Sequence, residues 1–529
     1  MGLYLNPNAD AFQMGLNTEI YVDKSLILSE LNKLVGSQGN FVCMSRPRRF
    51  GKSMAGNMIS AYYSKGCDTR EAFRQMKLGQ VPDYDKYLNK FNVIKLDLNE
   101  LYQNAKKKGE ETHLINQIDK RVADEFKIQF KNVIFSESDN SIDQCILRVY
   151  AETGEKFVII IDEYDVLARE RVPQTLFDNY LSFLNGLFKG STIRPALSLA
   201  YITGIFPIVR DKVQSKLNEF SEYTMLDSGQ FAPHIGFTEE ETKELCEQYG
   251  CDFAEFQRWY DGYRLNDDVS LFNPKSVTTS ISRKRMGSYW SATGSFEALK
   301  DYIMMDFAGI KQDVIKMISG ESVPVNVTKF QNTLQSITNK DNVFTYLIHL
   351  GYLSYNYEEQ TCCIPNEEVR LEWVNSIDDE ENYAPIMNLI KASKRLLDDT
   401  AAGNEEAVAK ALDAAHTEVT NPLTYNDEHC FQSAICLAYF FANTRYTLVK
   451  ELPTGKGYAD LVLIPYLPNI PAMVIELKHN KSAESALRQI KEKNYCQALN
   501  QYKGDLLFVG ISYDEKTKEH QCKIERLVN

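Results

Sequence analysis

A short segment near the start of the chain has the residue types of a phosphate-binding loop. Residues 46–53 read Arg-Pro-Arg-Arg-Phe-Gly-Lys-Ser, so Gly51, Lys52 and Ser53 follow one another as such loops require. In a phosphate loop, backbone N–H groups surround the phosphates, the lysine reaches the terminal oxygens, and the hydroxyl binds magnesium. Arg46 stands where the usual pattern has its first glycine. The sequence still predicts a Mg-ATP site, because an apolar strand precedes the tripeptide and a helix-compatible stretch follows it.

Two acids further along the chain would complete that site. Residues 157–163 read Phe-Val-Ile-Ile-Ile-Asp-Glu, an apolar strand that presents Asp162 at its carboxyl edge. There Asp162 can hold magnesium together with Ser53, and Glu163 can polarise the attacking water as a carboxylate base. The alternative is an apolar strand that simply ends in solvated acids. Asp165 is expected to cap the helix that follows.

Other polar residues are candidates for contacts with the nucleotide. Thr203 ends another apolar strand, where it would sense the terminal phosphate or be an ordinary strand-end threonine. Arg46, Arg48 and Arg49 could add positive charge around the phosphates, and Arg49 is taken as the ligand among them. One of the three could instead serve a neighbouring subunit as an arginine finger, which leaves a homo-oligomer open. Surface solubility explains at least one of them equally well.

The last quarter of the chain contains carboxylates and a lysine in the pattern of a metal-dependent nuclease. Asp460 begins an apolar strand, and the next apolar strand closes with Glu476 and Lys478. In such a hairpin Glu476 and Lys478 are two positions apart and therefore point to the same face. Hydrolysis of a phosphodiester needs carboxylates that hold a metal ion and a lysine near the developing charge. A helix over residues 427–441 would add Glu428 as an outer metal ligand. Any amphipathic hairpin can generate the same pattern by chance.

Basic residues are frequent beside this motif, and they bear on the partner. Gln489 and Lys493 are four residues apart and are expected on one helix face. A track for nucleic-acid phosphates, most plausibly DNA, and a solvated helix face are both consistent with such a stretch. The formal net charge of −13 argues against a non-specific nucleic-acid coat over the whole surface but leaves room for a local groove. The basic positions are Lys478, Lys481, Arg488, Lys491, Lys493 and Lys503.

The elements that must position these residues divide the chain into three parts. Residues 1–235 alternate apolar strands with amphipathic helices, which predicts an α/β ATPase domain with a parallel sheet. Residues 236–400 are expected to be a helical middle region with a winged-helix-like end, beginning at a capping box of Thr238 and Glu241. Residues 401–529 should form a second α/β domain, in the order helix, strand, strand, helix, strand from residue 425. The remaining strands are expected at residues 41–45, 92–98, 157–161, 197–203, 352–355 and 361–364.

Length and composition agree with several globular domains. At 529 residues the chain exceeds the roughly 250–300 residues of a single core, and its hydrophobic share of 44% is ordinary. No apolar stretch approaches the roughly 18 residues of a membrane span, and no signal pattern opens the chain. Eleven cysteines without regular spacing indicate reduced thiols in a cytoplasmic protein without structural zinc.

Several of these segments together resemble the AAA-ATPase-like family that is common in anaerobic bacteria. They are residues 21–25 (Tyr-Val-Asp-Lys-Ser), residues 46–53, and residues 161–165 (Ile-Asp-Glu-Tyr-Asp). In that family a PD-(D/E)XK nuclease domain usually follows, and residues 455–460 with Glu-Leu-Lys at 476–478 resemble it. The resemblance implies an ASCE-type P-loop ATPase followed by a restriction-endonuclease-like domain. It also implies that Arg46, in place of the first loop glycine, is a common feature of the family.

The chain departs from the family at one point. Many relatives carry arginine two residues before the nuclease aspartate, in a Gly-x-Gly-Arg-x-Asp pattern, where this chain has Tyr458. The departure leaves the metal ligands in place and removes one phosphate or structural contact.

The expected function is therefore ATP binding and hydrolysis coupled to metal-dependent cleavage of nucleic acid. Mg²⁺ is the expected metal at both sites, with Mn²⁺ as an alternative at the nuclease site. The alternative function is a nucleotide-switched sensor or signalling ATPase whose nuclease-like domain only binds nucleic acid or a partner.

Overall fold

The chain forms two compact units in the computed structural model. The first contains residues 1–293 and 324–368, and the second contains residues 294–323 and 369–529. The division of the sequence into three domains at residues 235 and 400 stays a prediction. The structure describes residues 2–170, 172–208, 217–266, 269–290, 309–328, 330, 337–378, 383–419, 428–454, 457–466, 470–493 and 504–527.

A parallel sheet is the centre of the first unit. Its strands lie in the order β2-β3-β4-β1-β5, and every neighbouring pair is parallel. All residues of β1, β3 and β4 are buried, which explains why these strands read as continuous apolar runs. The predicted α/β class of this region is confirmed. The strands are β1 (Phe41–Ser45), β2 (Asn92–Asp97), β3 (Phe157–Asp162), β4 (Leu197–Gly204) and β5 (Ser221–Tyr223).

The register of this sheet brings polar residues together at its carboxyl edge. Asp162 at the end of β3 lies beside Asp97 of β2 on one side and Thr203 of β4 on the other. Thr203 in turn pairs in register with Met44, next to the last residue of β1. The phosphate loop follows β1 directly, so it begins at the same edge. In open parallel sheets this edge is where ligands bind.

Helices cover the parallel sheet, and smaller strands complete the first unit. The strands β6 (Phe237–Thr238), β7 (Tyr263–Leu265) and β8 (Val269–Phe272) form an antiparallel sheet. The predicted capping box of Thr238 and Glu241 is present. The predicted later strand pair is the antiparallel pair β10 (Ser354–Asn356) and β11 (Thr361–Cys363), while the short β9 (Val323–Pro324) lies at a boundary between the units. The helices are Asp10–Leu16, Ile27–Leu34, Lys52–Tyr63, Arg70–Gln75, Leu98–Lys108, Leu114–Gln129, Ile142–Thr153, Val166–Arg169, Gln174–Phe188, Glu239–Tyr249, Phe253–Tyr260, Pro274–Arg283 and Lys340–Leu350.

A mixed sheet is the centre of the second unit. Its strands follow chain order, and β14 and β15 pair in parallel while the other neighbours are antiparallel. The helix Ala483–Glu492 packs on this sheet through Ile490, which belongs to the same apolar core as Val474 and Phe508. The strands are β12 (Tyr446–Thr454), β13 (Gly457–Pro465), β14 (Ala472–His479), β15 (Leu506–Asp514) and β16 (Glu519–Leu527). The other helices are Ile310–Ile318, Ala384–Ala402, Glu405–Val419 and Glu428–Ala438, and Glu367–Ile377 contains a boundary between the units.

The predicted strand count of the second unit is wrong at both edges of its sheet. The sequence order of helix, strand, strand, helix, strand omits β12 and β16. Both are edge strands, and β16 alternates exposed and buried residues before it becomes mostly polar. An edge strand with one solvated face lacks the apolar run by which the inner strands were recognised.

Among the described residues, no helix is long and apolar enough to cross a membrane.

Candidate functional site

The phosphate loop lies between β1 and the helix Lys52–Tyr63. Gly51, which precedes this helix, has a φ of 95°, in the left-handed region that side-chain-bearing residues rarely adopt. The ammonium of Lys52 donates to the carbonyl oxygens of Arg46 at 3.0 Å and Pro47 at 2.9 Å. These two hydrogen bonds close the loop on itself, and they leave the Lys52 side chain only 4% exposed.

Asp162 and Lys52 are two desolvated charges at the start of this site. Asp162 is 3% exposed, and burial raises its pKa to about 6, while a hydrogen bond with the Ser53 side chain opposes that rise. Burial lowers the pKa of Lys52, and the nearby carboxylates of Glu163 and Asp162 oppose this. A carboxylate joined to a hydroxyl is a pair of hard oxygen donors, which is the chemistry that Mg²⁺ prefers. Ser53 and Asp162 therefore fit the magnesium of a Mg-ATP site.

Glu163 follows Asp162 in the chain, and Thr203 pairs with Asp162 in register on β4. The backbone N–H of Glu163 donates to the Asp162 carboxylate at 3.0 Å, and Glu163 has a φ of 53°, an uncommon value for a residue with a side chain. Thr203 is fully buried at this edge of the sheet.

A cavity of about 1030 Å³ opens in front of the loop, which is the size of a small-molecule site. Six of the predicted candidates line it: Arg48, Arg49, Gly51, Lys52, Ser53 and Glu163. Asp162 and Thr203 are buried and are not among the lining residues. The wall also contains parts that sequence reasoning missed, namely Ile20, Tyr21, Val22, Arg169, Phe237, and the helix Pro274–Arg283 with Lys275, Thr278 and Arg283. Of these residues, Tyr21 and Val22 had a signal in the sequence, because they belong to the Tyr-Val-Asp-Lys-Ser segment of the family resemblance.

Two residues near the loop have structural roles that differ from the expected ones. The guanidinium of Arg46 is buried and donates to the carbonyl oxygens of Ser45 and Thr224, so it lies in the interior and not on the cavity wall. Burial lowers the pKa of Arg46 to about 10. Asp165 does not cap the helix Val166–Arg169, because its carboxylate accepts instead from the backbone N–H groups of Ile205 and Phe206.

The predicted nuclease residues meet in the second unit. Asp460 on β13 accepts a hydrogen bond from the backbone N–H of Leu477 at 2.7 Å, which holds it beside the end of β14. The ammonium of Lys478 donates to Glu476 Oε1 at 2.8 Å, which confirms that the two side chains share a face. Glu476 is 1% exposed, and burial, followed by the nearby Asp460, raises its pKa. Two carboxylates and a lysine are thereby assembled at one strand end.

One oxygen of this cluster is left for a ligand. Glu476 Oε2 is buried without a hydrogen-bond partner in the described part of the chain, although its sister oxygen accepts from both Lys478 and Gln489. An unpaired buried carboxylate oxygen costs several kcal/mol unless a cation or donor satisfies it. The cluster therefore fits a divalent metal ion. No group of three or more His, Cys, Asp or Glu suited to a metal is present among the described residues.

The surrounding elements fix the cluster in place. Gln432, on the helix Glu428–Ala438, donates to the backbone oxygen of Asp460 at 2.9 Å, a contact that sequence reasoning missed. At Gly510 on β15 a Cβ atom would come within 2.4 Å of the backbone oxygen of Ala483. Only glycine at this position therefore lets the helix Ala483–Glu492 lie so close to β15. The side chain of Glu428, the predicted outer ligand, lies outside the described residues, as does Lys503.

Comparison with known proteins agrees with the two predicted domain types. Residues 12–214 match the family model described as Predicted AAA-ATPase, and residues 426–522 match that of the PD-(D/E)XK nuclease superfamily. The chain is also 23% identical over 294 residues to an uncharacterized protein in the vnfD 5' region of Azotobacter chroococcum mcd 1. That match covers 54% of this chain and 52% of the relative, so the chain spans about half the length of this curated relative.

Solved structures give only distant likenesses. The Aeropyrum pernix ORC1 protein in complex with DNA is 11% identical with a TM-score of 0.26, covering 72% of this chain and 98% of that one. The Aeropyrum pernix ORC2 protein, in ADPNP–ADP complexes, is 11% identical with a TM-score of 0.30, covering 70% and 98%. Likenesses at this level establish nothing about activity. The two family matches do establish the organisation: the chain combines a domain of the Predicted AAA-ATPase family with a C-terminal domain of the PD-(D/E)XK nuclease superfamily.

Proposed function

We propose that the first unit binds and hydrolyses ATP and that the second unit cleaves phosphodiester bonds of nucleic acid, with DNA as the substrate and nucleotide state as the control. The observation that carries the proposal is the cluster of Asp460, Glu476 and Lys478, with one carboxylate oxygen of Glu476 buried and unpaired. A structural role for these side chains would have paired that oxygen.

In the first unit each residue has a separate task. Lys52 holds the loop closed and presents its ammonium where the terminal phosphate oxygens would lie. Ser53 and Asp162 hold Mg²⁺, which when bound neutralises charge on the phosphates. Glu163 lines the cavity beside them and accepts a proton from the attacking water.

In the second unit, Asp460 and Glu476 hold the metal ion. Mg²⁺ or Mn²⁺, when bound there, supplies Lewis-acid stabilisation and a more acidic water. Lys478 shares the face of Glu476 at 2.8 Å, so its ammonium can stabilise the negative charge that develops on the scissile phosphate. Gln489 contacts the same carboxylate and orients it.

The test is a cleavage assay on supercoiled and linear DNA with Mg²⁺ or Mn²⁺, with and without ATP. The proteins compared are the wild type, Lys52→Ala and Lys478→Ala. Cleavage that is lost in Lys478→Ala, and altered both by ATP and by Lys52→Ala, is the expected result. Loss of one lysine that stabilises developing charge should reduce the rate by about 10²–10³-fold.

The alternative function predicts a different outcome. If no form cleaves DNA while the wild type still hydrolyses ATP, the chain is a nucleotide-switched ATPase whose second unit only binds nucleic acid or a partner. In that case binding to DNA should depend on the nucleotide and survive Asp460→Ala.

A further inference from the structure

The carboxylate of Glu163 has a charged partner that the functions above do not use. Arg169, on the helix Val166–Arg169, forms an ion pair with Glu163 through its terminal nitrogen. Both residues line the cavity, and the Arg169 side chain is only 13% exposed. A pair this sheltered from solvent is less screened than a surface ion pair and can hold a side chain in one orientation.

Arg169 is itself held by a second carboxylate. Its Nε lies 3.3 Å from Asp165 Oδ2, so the guanidinium lies between Asp165 and Glu163. Burial works to lower the pKa of Arg169, but the two carboxylates outweigh burial and raise it. The planar guanidinium offers several donors in a fixed geometry, and it therefore sets the two acids at a defined spacing.

Asp165 in turn is anchored to the turn that follows β4. Its Oδ2 accepts from the backbone N–H groups of Ile205 and Phe206, each at 3.0 Å. Gly204 makes this approach possible, because a Cβ atom at that position would lie 2.6 Å from Asp165 Oδ1. The end of the strand that carries Thr203 is thereby connected through Asp165 and Arg169 to the carboxylate of Glu163.

The backbone of Glu163 makes such support necessary. Its φ of 53° is an unfavourable conformation for a residue with a side chain, and residues of this kind persist only where the surroundings hold them. The Glu163 side chain borders an open cavity, so without Arg169 its carboxylate would be free to turn toward the ammonium of Lys52 or into solvent.

We propose that Arg169 is a positioning residue for Glu163 and that Asp165 aligns Arg169 from the turn after β4. The proposal rests on ATP hydrolysis at this cavity with Glu163 as the base. Arg169 acts through Glu163 and not on the nucleotide, so its loss should lower kcat and leave the KM for ATP nearly unchanged.

The experiment measures kcat and KM for ATP in Arg169→Gln, Arg169→Lys, Glu163→Gln and the double variant Glu163→Gln/Arg169→Gln. Misplacement of a reacting group by about 1 Å can cost about 10²-fold in rate, so kcat of Arg169→Gln should fall by about 10- to 100-fold. Arg169→Lys keeps the charge but loses the planar fork, and it should restore part of kcat. The double variant should be no slower than Glu163→Gln alone, because Arg169 then has no base to position.

Arg148→Gln is the matched control. It removes an arginine that pairs with Asp139 at 3.1 Å elsewhere in the first unit, away from the cavity, and it should leave kcat unchanged. Thermal unfolding of each variant checks folding. If Arg169→Gln does not fold, the kcat of Arg169→Lys is compared with that of the wild type instead. A lower kcat supports the positioning role, and an unchanged kcat overturns it.

The outcomes separate the two levels of the proposal. Full ATP hydrolysis by Glu163→Gln would mean that Glu163 is not the base, and it would overturn the proposed mechanism of hydrolysis. An inactive Glu163→Gln beside an Arg169→Gln of wild-type or higher kcat would overturn the positioning role and leave the proposed function intact. A rise in KM that matches the loss of kcat would mean that Arg169 contacts the nucleotide directly, which also overturns the positioning role.

Discussion

Replacement of Asp162 by asparagine should stabilise the ligand-free protein at neutral pH although it abolishes ATP hydrolysis. The carboxylate is 3% exposed, and burial raises its pKa from 3.8 to about 6. In the absence of metal the folded state therefore contains a charge that is better solvated in the unfolded chain. Asparagine has nearly the same shape, can keep the amide oxygen on the backbone N–H of Glu163, and carries no charge.

The size of the stability gain follows from the shift in the pKa of Asp162. A rise of about two pKa units, at 1.36 kcal/mol each, corresponds to about 3 kcal/mol. The unfolded carboxyl loses its proton at lower pH than the folded one, so between these two pKa values the folded state binds more protons. The free energy of unfolding therefore falls as pH rises from 3.8 to about 6, and the whole penalty is present above that range. The gain from asparagine should be about 3 kcal/mol near pH 7.5 and about half of that near pH 5.

Urea unfolding in EDTA without nucleotide measures this gain. Two of the three tryptophans, Trp259 and Trp290, lie in the first unit, so their fluorescence reports on it. Asp178→Asn, the same chemical change at an exposed aspartate of this unit, is the control and should change stability little. The reasoning is refuted if Asp162→Asn is no more stable than the wild type near pH 7.5, or if its gain does not shrink on acidification.

Three further changes test other parts of the structure. Glu476→Gln should stabilise the metal-free protein against urea at neutral pH, because burial raises the pKa of Glu476. The same change should abolish DNA cleavage. A stability equal to that of the wild type would contradict the burial argument. Gly204→Ala places a Cβ 2.6 Å from Asp165, so thermal unfolding should show a loss of about 1–3 kcal/mol together with a lower kcat for ATP. Lys24→Met removes the ion-pair partner of the half-buried Glu241, whose carboxylate keeps its hydrogen bond from the backbone N–H of Thr238, and should cost about 1–3 kcal/mol in urea unfolding, of which Lys24→Met/Glu241→Gln should recover a large part.

The functional residues at the strand ends could be predicted from the sequence because buried parallel strands are recognisable as apolar runs. Strands β1 and β3 are apolar up to their last residue and β4 is mostly apolar, so the polar residue at the end of each run marks the carboxyl edge of the sheet. That pattern predicted Asp162 and Thr203 at this edge, while Lys52 was predicted from the Gly-Lys-Ser tripeptide of the phosphate loop. The same logic located Asp460 and Glu476 on a hairpin of two inner strands.

The contacts that orient these residues could not be read in the same way. Asp165 lies one residue before a helix, where an acid usually caps, yet its carboxylate turns to backbone groups some forty residues further along the chain. Arg169 is the last residue of a helix of four residues, too short to show any periodicity. The helix Pro274–Arg283 lines the cavity from more than two hundred residues beyond the phosphate loop. Pairings over such distances depend on the finished fold and leave no local pattern.

Both sites use the same physical arrangement, and it has a consequence for their metal dependence. In each unit a buried carboxylate near the end of a strand lies beside a lysine, Asp162 with Lys52 and Glu476 with Lys478, and in each the pKa of the acid is raised, chiefly by burial. A divalent cation must displace any proton from such an acid, so acidification should weaken metal binding. At Asp162, whose pKa is about 6, this competition begins just below neutrality, far above the range of an exposed aspartate. The protection of the first unit against urea by Mg²⁺ and a non-hydrolysable ATP analogue should therefore decline between about pH 7 and pH 5 in the wild type.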